Sequence, residues 1–533
     1  MARLLVVEDD ADQRELRRML FERAGHEVEV AATALEAERA CAARPPGVVV
    51  MDLHLPRAGD GAALIRRLRE FSPAPRIVVL SGLAAELKAS PEARMVDAVV
   101  SKPCRSARLM EIVSRLLLVW FVCVVAVAAQ TTIPFRVSQP AEVVAEIEMS
   151  SPGADWSGRG REAALATLAV DGKPRQQVML FAGAGAHTYR VFLGLLAPGE
   201  HSLGVERNSR YSAPGAGIEV ARASFLEAPP TDAVAANAPV LFARANTVGR
   251  FSDVPLLLYC ERLREDGQDL LQYTMIFSNE DGGTSTRALM ARWGRTTDIE
   301  YVYRVWLDSG GKAARATIQT KDHKEVEYRG PRAGAHPLLI PITDNNMVAP
   351  GGSSPIRYQL APVEVDLGAA SREEVMDRHP ILYRVMAQEL AREGKLRPFG
   401  VLDGEKIGDP RNYLYIQARI ANRDSRSAFL VRLKGERRWR VSHLGKVELA
   451  IERGGWVRST VELPPGTTPG QIAEFGFECL TKEKTPAGAC RIEEIGKLFF
   501  LDREYRPGAS FWSLKPAADV PSGEILTWSF ESK

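Results

Sequence analysis

A run of apolar residues in the interior of the chain constrains its fold more than any other feature. Residues 116–129 read LLLVWFVCVVAVAA, and no charged residue occurs between Leu116 and Phe135. A membrane-spanning helix needs about 20 predominantly apolar residues. The fully apolar part is shorter than that and has the length of the apolar region of a signal peptide. We therefore expect a transmembrane or signal-like helix over residues 116–135.

Three explanations of this run stay open. In the first, it is a signal anchor, with the basic residues before it, such as Arg115, in the cytoplasm and the rest of the chain outside. In the second, it is a secretory signal whose gene has become joined to another gene, with small residues at 126–128 at cleavage-site spacing. In the third, it is a buried helix of a wholly cytoplasmic protein. The first two place residues after about 130 outside the cytoplasm.

Charge and composition exclude some classes of protein. The formal net charge of the 533-residue chain is +2, so it lacks the general basic field that nucleic-acid-binding proteins carry. No helix-turn-helix pattern or basic recognition stretch follows the first 115 residues. We expect no nucleic-acid partner.

The first 115 residues alternate between short apolar runs and amphipathic segments. The runs LLVV, HEVEV, GVVVMD, RIVVLSG and DAVVSKP have the length of strands, and each is followed by a segment with helical spacing of its apolar residues. Five strands alternating with five helices predict a doubly wound parallel sheet covered on both faces. In such sheets the functional site lies at the carboxyl ends of the strands.

Polar residues stand at those strand ends. They are Glu8, Asp9, Asp52, Ser81 and Lys102. In order, the segments LVVEDD, VVVMDLHLP, VVLSG and VSKP resemble the receiver domain of two-component response regulators. The resemblance covers about residues 2–117 and implies a flavodoxin-like α/β fold.

The resemblance also implies a chemistry. Asp52 would accept a phosphoryl group from a sensor histidine kinase or a phosphotransfer protein, so the domain is not expected to be an enzyme in its own right. Lys102 would pair with the phosphoryl oxygens, and Ser81 would hydrogen-bond to one of them. Mg²⁺ would be held by Glu8, Asp9, Asp52 and the backbone carbonyl of His54, since this cation prefers oxygen ligands.

Two positions test the resemblance further. The receiver pattern implies a cis peptide bond between Lys102 and Pro103. It also places an aromatic residue three positions before the lysine, where this chain has Val99. The usual coupling between phosphorylation and the outer face of the last strand and helix is therefore in doubt.

The sequence after the apolar run is rich in short alternating segments, which predict mainly-β, sandwich-like domains. After the receiver (1–115) and the hydrophobic helix (116–135), we predict a β-sandwich-like domain over 136–226 and a linker over 227–239. A β-rich domain over 240–370, a helical segment over 371–396 and a second β-rich domain over 397–533 follow. Ser371 is a plausible helix cap, and Pro380 should break or kink the helix.

No catalytic motif occurs after residue 130, and no family is recognised there. The densest polar stretch is RWGRTTDIEYVYRVWLD, with Trp293, Arg295, Asp298, Glu300, Tyr301 and Tyr303. Such residues could line a groove for a sugar or a peptide. The alternative is a strand whose faces alternate between core and solvent. Cys479 and Cys490 are close enough to form a disulfide in an oxidising compartment, or they are free thiols.

The sequence thus favours a phosphoacceptor receiver, anchored in the inner membrane through residues 116–135, with its β-domains periplasmic or extracellular. The alternative is a secreted or membrane-anchored module that binds a glycan or protein, or hydrolyses one, joined to a receiver gene.

Overall fold

A computed structural model describes residues 3–44, 46–55, 60–69, 71, 75–82, 87, 90–104, 106, 108–113, 116, 131–280, 282–482 and 488–530. The chain divides into two compact units, residues 1–129 and 130–533.

The N-terminal unit is a five-stranded parallel sheet with helices between the strands. Its strands are β1 (Arg3–Val7), β2 (Glu27–Ala31), β3 (Val48–Met51), β4 (Arg76–Ser81) and β5 (Ala98–Ser101), in the order β2-β1-β3-β4-β5. Its helices are α1 (Ala11–Arg23), α2 (Ala34–Ala43), α3 (Asp60–Leu68), a 3-10 turn (Pro91–Met95) and the helical residues 108–113. The predicted doubly wound fold is confirmed. The helix expected over 83–89 lies outside the described residues except at Leu87.

Two hydrophobic clusters cover the two faces of this sheet. Alternate residues of the central strand separate them: Leu5 and Val7 belong to one cluster, and Leu4 and Val6 to the other. A strand that is buried on both faces reads as a continuous apolar run rather than as an alternation. This is why LLVV and VVVM could be recognised as central strands.

Residues 131–228 form two antiparallel sheets. The strands are β6 (Thr131–Val137), β7 (Ala141–Ser150), β8 (Leu165–Val170), β9 (Lys173–Met179), β10 (His187–Leu196), β11 (Gly199–Arg207) and β12 (Glu219–Ala228). Their orders are β10-β7-β12 and β6-β11-β8-β9.

The helix predicted over 116–135 is therefore wrong in its last part, because Thr131–Val137 is a strand. It pairs with β11 at the sheet edge, where Pro134 costs no inner ladder hydrogen bond, and Phe135 and Val137 turn into the core. The apolar part, residues 117–130, lies outside the described residues. In the part of the chain that is described, no helix is both long and apolar enough to span a membrane.

Residues 233–392 form two further sheets and four helices. The elements are α4 (Ala233–Asn237), β13 (Val240–Phe242), β14 (Pro255–Glu265), β15 (Gln268–Phe277), α5 (Thr286–Trp293), β16 (Asp298–Leu307), β17 (Ala313–Thr320), β18 (Lys324–Glu327), β19 (Arg332–Ala333), β20 (His336–Pro341), β21 (Val348–Pro350), β22 (Arg357–Tyr358), β23 (Val363–Glu364), α6 (Glu374–Arg378) and α7 (Ile381–Arg392). The larger sheet has the order β18-β17-β16-β15-β14-β23, and the smaller has β19-β20-β13-β22 with β21 beside β20.

Two local expectations need correction here. The expected linker, residues 227–239, contains the end of β12 and the helix α4, whose Val234 and Ala235 join the main core. Pro380 separates α6 from α7, as expected, but the Ser371 hydroxyl caps neither helix. It donates instead to Gln417, because the side chain is buried against the following domain.

The remaining elements form a C-terminal pair of sheets. They are β24 (Tyr413–Arg423), β25 (Ser425–Leu433), β26 (Arg440–Val441), β27 (Gly455–Glu462), β28 (Ile472–Thr481), β29 (Ala489–Phe499), β30 (Ala518–Pro521) and β31 (Ile525–Ser529), in the orders β27-β24-β29-β30 and β26-β25-β28-β31. A disulfide joins Cys479 on β28 to Cys490 on β29 and so links the two sheets. The mainly-β character of residues 131–530 is confirmed; the exact domain boundaries stay a prediction.

A buried ion pair ties α6 to the C-terminal sheets. The Arg458 guanidinium on β27 donates to both Asp377 carboxylate oxygens, at 2.8 and 3.0 Å, and the Lys497 ammonium lies 2.6 Å from the same carboxylate. Burial raises the pKa of Asp377, but the charge and hydrogen bonds of Arg458, with help from Lys497, outweigh it and hold the pKa at about 2.

We expect Asp377→Ala to lower the free energy of unfolding of the second unit by about 3–5 kcal/mol, because it leaves a buried guanidinium without its anion. The matched control Asp403→Ala breaks an exposed pair with Lys406 and should cost less than about 1 kcal/mol. Urea titration followed by tryptophan fluorescence measures both, since no tryptophan precedes Trp120. Equal losses in the two variants would contradict the role given to Asp377.

Candidate functional site

The carboxyl edge of the N-terminal sheet brings the predicted polar residues together. Val7 of β1 is in register with Met51 of β3, so Glu8 and Asp52 leave neighbouring strands side by side. Ser81 is the last residue of β4 and pairs with Ser101 of β5, directly before Lys102. The backbone N–H of Asp52 donates to the Val7 carbonyl at 3.0 Å, which fixes the start of the loop that follows.

Lys102 joins the two central carboxylates. Its Nζ lies 2.6 Å from Asp52 Oδ2 and 3.1 Å from Glu8 Oε2. The backbone N–H of His54 donates to Asp52 Oδ1 at 3.1 Å. Asp52, Glu8 and Ser81 are buried, and the peptide bond from Lys102 to Pro103 is cis, as expected.

These contacts set the ionisation of Asp52. Burial alone would raise the pKa of the Asp52 carboxyl. Hydrogen bonds from Lys102, Ser81 and the His54 backbone, in that order, outweigh burial and lower the pKa below its ordinary value. Asp52 is therefore a carboxylate at neutral pH, which is the form that a nucleophile needs.

Asp9 and Asp10 differ from the buried pair. Asp9 is exposed and accepts a hydrogen bond from the backbone N–H of Asp10 at 3.0 Å. The Asp10 side chain caps α1 by accepting from the backbone N–H of Gln13. The acidic cluster thus supplies one buried carboxylate, one carboxylate open to solvent and one helix cap.

The sequence did not single out Arg17. Its guanidinium on α1 donates to Glu8 Oε2, and both side chains are largely buried. Basic residues are frequent on surface helices, so only its place opposite the strand end distinguishes it.

Glycine at position 61 lets α3 approach the loop after Asp52. A Cβ there would lie 2.8 Å from the Leu53 Cα, closer than real contacts allow. Because this wall is backbone, a larger residue would displace the segment that carries Asp52 and His54.

The donor chemistry of this edge fits Mg²⁺, which prefers carboxylate and carbonyl oxygens. Glu8 and Asp52 are at the same time engaged by Arg17 and Lys102. In the arrangement observed here, and within the described ranges, no three Asp, Glu, His or Cys side chains converge on one point, so Glu8, Asp9 and Asp52 would have to reorient to share one cation.

Residues 4–114 match the family model described as the response regulator receiver domain. This region is a receiver domain. The photosynthetic apparatus regulatory protein RegA of Rhodovulum sulfidophilum is 40% identical over 84 residues, which are 15% of this chain and 44% of that protein. RegA of Cereibacter sphaeroides is 38% identical over 82 residues, with the same shares. The chain therefore spans less than half the length of these curated relatives.

Solved structures resemble the same region. A sensor protein from Polaromonas sp. JS666 is 30% identical and covers 22% of this chain and 98% of its own, with a TM-score of 0.21. A response regulator receiver domain from Methylobacillus flagellatus is 27% identical with the same coverage and a TM-score of 0.20.

Val99 departs from the receiver pattern in this structure as in the sequence. It lies on β5, is partly buried and packs against the cluster that contains Met51 and Val79. An aliphatic side chain in this place has no ring or hydroxyl group.

The polar stretch of the second unit is gathered into a cavity. Five of its six candidates line one cavity of about 350 Å³: Trp293, Arg295, Asp298, Glu300 and Tyr301. Tyr303 does not, because it is buried against Tyr273 and Tyr328. Glu280, Gln319, His323 and Arg372 also line the cavity and were not singled out from the sequence.

We expect Lys102→Met to raise the pKa of Asp52 in the receiver domain, because it removes the strongest of the hydrogen bonds that lower it. Carbon-detected NMR of the aspartate carboxyl groups measures this shift. The control Arg76→Gln should raise the pKa of its partner Asp97 and leave Asp52 unchanged. An unshifted Asp52 in the lysine variant would refute the pairing.

Proposed function

We propose that the receiver domain takes a phosphoryl group on Asp52 from a sensor histidine kinase or a phosphotransfer protein. The observation that supports this most directly is the Lys102 ammonium, 2.6 Å from Asp52 Oδ2. Asp52 is held ionised and oriented at the strand end by Lys102, Ser81 and the His54 N–H.

In this proposal an Asp52 oxygen attacks the phosphorus, the bond to the donor histidine nitrogen breaks, and that nitrogen keeps the electron pair. Lys102 then pairs with a phosphoryl oxygen, and the Ser81 hydroxyl donates to another. Glu8, Asp9, Asp52 and the His54 carbonyl are the residues that would hold Mg²⁺, which when bound offsets the negative charge of the incoming group.

Glu8 is paired with Arg17 and Asp52 with Lys102, so Mg²⁺ would have to bind these carboxylates in competition with the two basic side chains. The exposed Asp9 is open to the cation from the start. Arg17 already contacts the Glu8 carboxylate, so we expect Glu8 to bind Mg²⁺ through a water molecule. This is consistent with the tendency of Mg²⁺ to keep several of its water ligands.

We further propose that residues after about 130 lie outside the cytoplasm, with the apolar run 116–129 as the anchor. The Cys479–Cys490 disulfide supports this placement, since such bonds persist in oxidising compartments. The receiver needs a cytoplasmic phosphoryl donor, so in one chain the two units would lie on opposite sides of the inner membrane.

We expect the full-length protein to incorporate phosphate from radiolabelled acetyl phosphate in the presence of MgCl₂, and Asp52→Asn to abolish the acid-stable but hydroxylamine-sensitive label. The control Asp10→Asn should keep the label, because asparagine caps a helix as well as aspartate does. EDTA should suppress labelling. Undiminished labelling of the Asp52 variant would overturn the assignment.

Fractionation of native cells tests the placement. Antibodies to each unit should detect one full-length band in the inner membrane. A soluble receiver-sized species together with a separate secreted species lacking residues before about 130 would instead mean two proteins, and the proposal of an anchored fusion would fail.

A further inference from the structure

The cavity of the second unit is built from segments far apart in the sequence. Asp298 and Glu300 lie on one face of β16, two residues apart, and Gln319 lies on the neighbouring strand β17. Glu280 precedes α5, Trp293 ends it, and Arg372 precedes α6. Five elements or loops therefore converge on this one space.

The carboxyl groups in this space repel one another. Burial, and then the charge of Glu300, raises the pKa of Asp298, and burial followed by the charge of Asp298 raises that of Glu280. Burial raises the pKa of Glu300 as well. Raised pKa values favour the protonated form of these carboxyl groups, and a protonated carboxyl group can both donate and accept a hydrogen bond.

A cation does not fit this arrangement. Arg295 and Arg372 line the same cavity and already supply positive charge, and Asp298 Oδ2 accepts a hydrogen bond of 3.0 Å from the Asn346 amide. No metal-holding group of three acidic, His or Cys side chains occurs over the residues described here. An anion is equally disfavoured, because three carboxyl groups form the wall and Glu373 engages Arg295.

One buried acceptor in the wall lacks a partner. Gln319 is 5% exposed, its amide nitrogen lies 2.6 Å from His323 Nδ1, and its Oε1 has no hydrogen-bond partner among the described atoms. A buried acceptor without a donor costs about 1–3 kcal/mol. A ligand hydroxyl that reached this oxygen from the cavity would supply that donor.

Size and aromatic lining narrow the ligand further. A volume of about 350 Å³ is at the lower end of ligand pockets. Trp293 and Tyr301 line the cavity together with the carboxyl residues. Ring carbons next to dense hydrogen-bonding groups suit a molecule with apolar C–H faces and many hydroxyls.

We propose that this cavity binds a neutral sugar unit of a glycan. Carboxyl groups of Asp298, Glu300 and Glu280 hydrogen-bond its hydroxyls, Gln319 Oε1 accepts from one of them, and Trp293 contacts a C–H face. The proposal goes beyond the receiver function and does not depend on phosphorylation of Asp52.

The test applies purified full-length protein to an array of immobilised neutral oligosaccharides, covering gluco-, galacto-, manno- and N-acetylhexosamine units. Calorimetry with the free form of each sugar that binds follows. We expect at least one specific sugar, with affinity weakened at least tenfold in Gln319→Leu, which keeps the side chain's size, and in Trp293→Ala.

The control is Glu261→Gln. Glu261 is a buried carboxyl on β14 of the same sheet, accepts from Gln272, and does not line the cavity. It should bind the sugar within twofold of the wild type. Thermal unfolding of each variant shows whether a loss of sugar binding comes from loss of the site or from loss of the fold. Gln319 is buried and Trp293 is partly exposed, so the two substitutions are not expected to destabilise the fold to the same extent.

Three results would overturn the proposal. The first is that the wild type binds no sugar on the array. The second is that both cavity variants bind a sugar with the same affinity as the wild type. The third is that CaCl₂ raises the melting temperature of the wild type and Asp298→Asn abolishes that rise, which would make the cavity a cation site.

Discussion

Compensation of buried carboxylates by cations from other elements is the interaction on which both units depend. An isolated buried carboxylate is costly and would neutralise itself. In the receiver domain, Lys102 from the end of β5 pairs with both Glu8 and Asp52 and holds Asp52 in the charged form at the end of β3. In the second unit, Arg458 does the same for Asp377 and so fixes α6 against the C-terminal sheets. The same kind of pairing occurs at the proposed phosphoryl-acceptor site in one unit and at a contact between elements in the other.

The carboxyl groups in the cavity around Asp298 do not follow this pattern. Its carboxyl groups outnumber the cations that line it, and their pKa values are raised rather than lowered. Asp377, whose carboxylate is paired with Arg458 and Lys497, shows the opposite direction. Perturbation towards the neutral form, in a space open enough for a ligand, is typical of a functional site.

The receiver site could be predicted because sheet topology converts sequence order into proximity. Once GVVVMD and DAVVSKP are parallel strands of one sheet, Asp52 and Lys102 must meet at its carboxyl edge. Arg17 could not be found in this way, since its contact depends on how α1 lies over the strand ends. The strand β6 was missed because Thr131–Val137 follows an apolar run without a boundary signal. The two-residue spacing of Asp298 and Glu300 predicts that they lie on the same face of a strand. Gln319 and Arg372 join them in the cavity only through tertiary packing, which the sequence does not reveal.

The disulfide between Cys479 and Cys490 joins strands that belong to different sheets. Because the bond closes the chain across the loop between them, a protease that cuts anywhere between the two cysteines does not release the final strands of the protein. The fragments stay covalently attached, and the nick becomes visible on a gel only after reduction. The disulfide therefore keeps the two C-terminal sheets joined even after the chain is cut between the cysteines. Unfolding measurements on the intact chain do not reveal this effect.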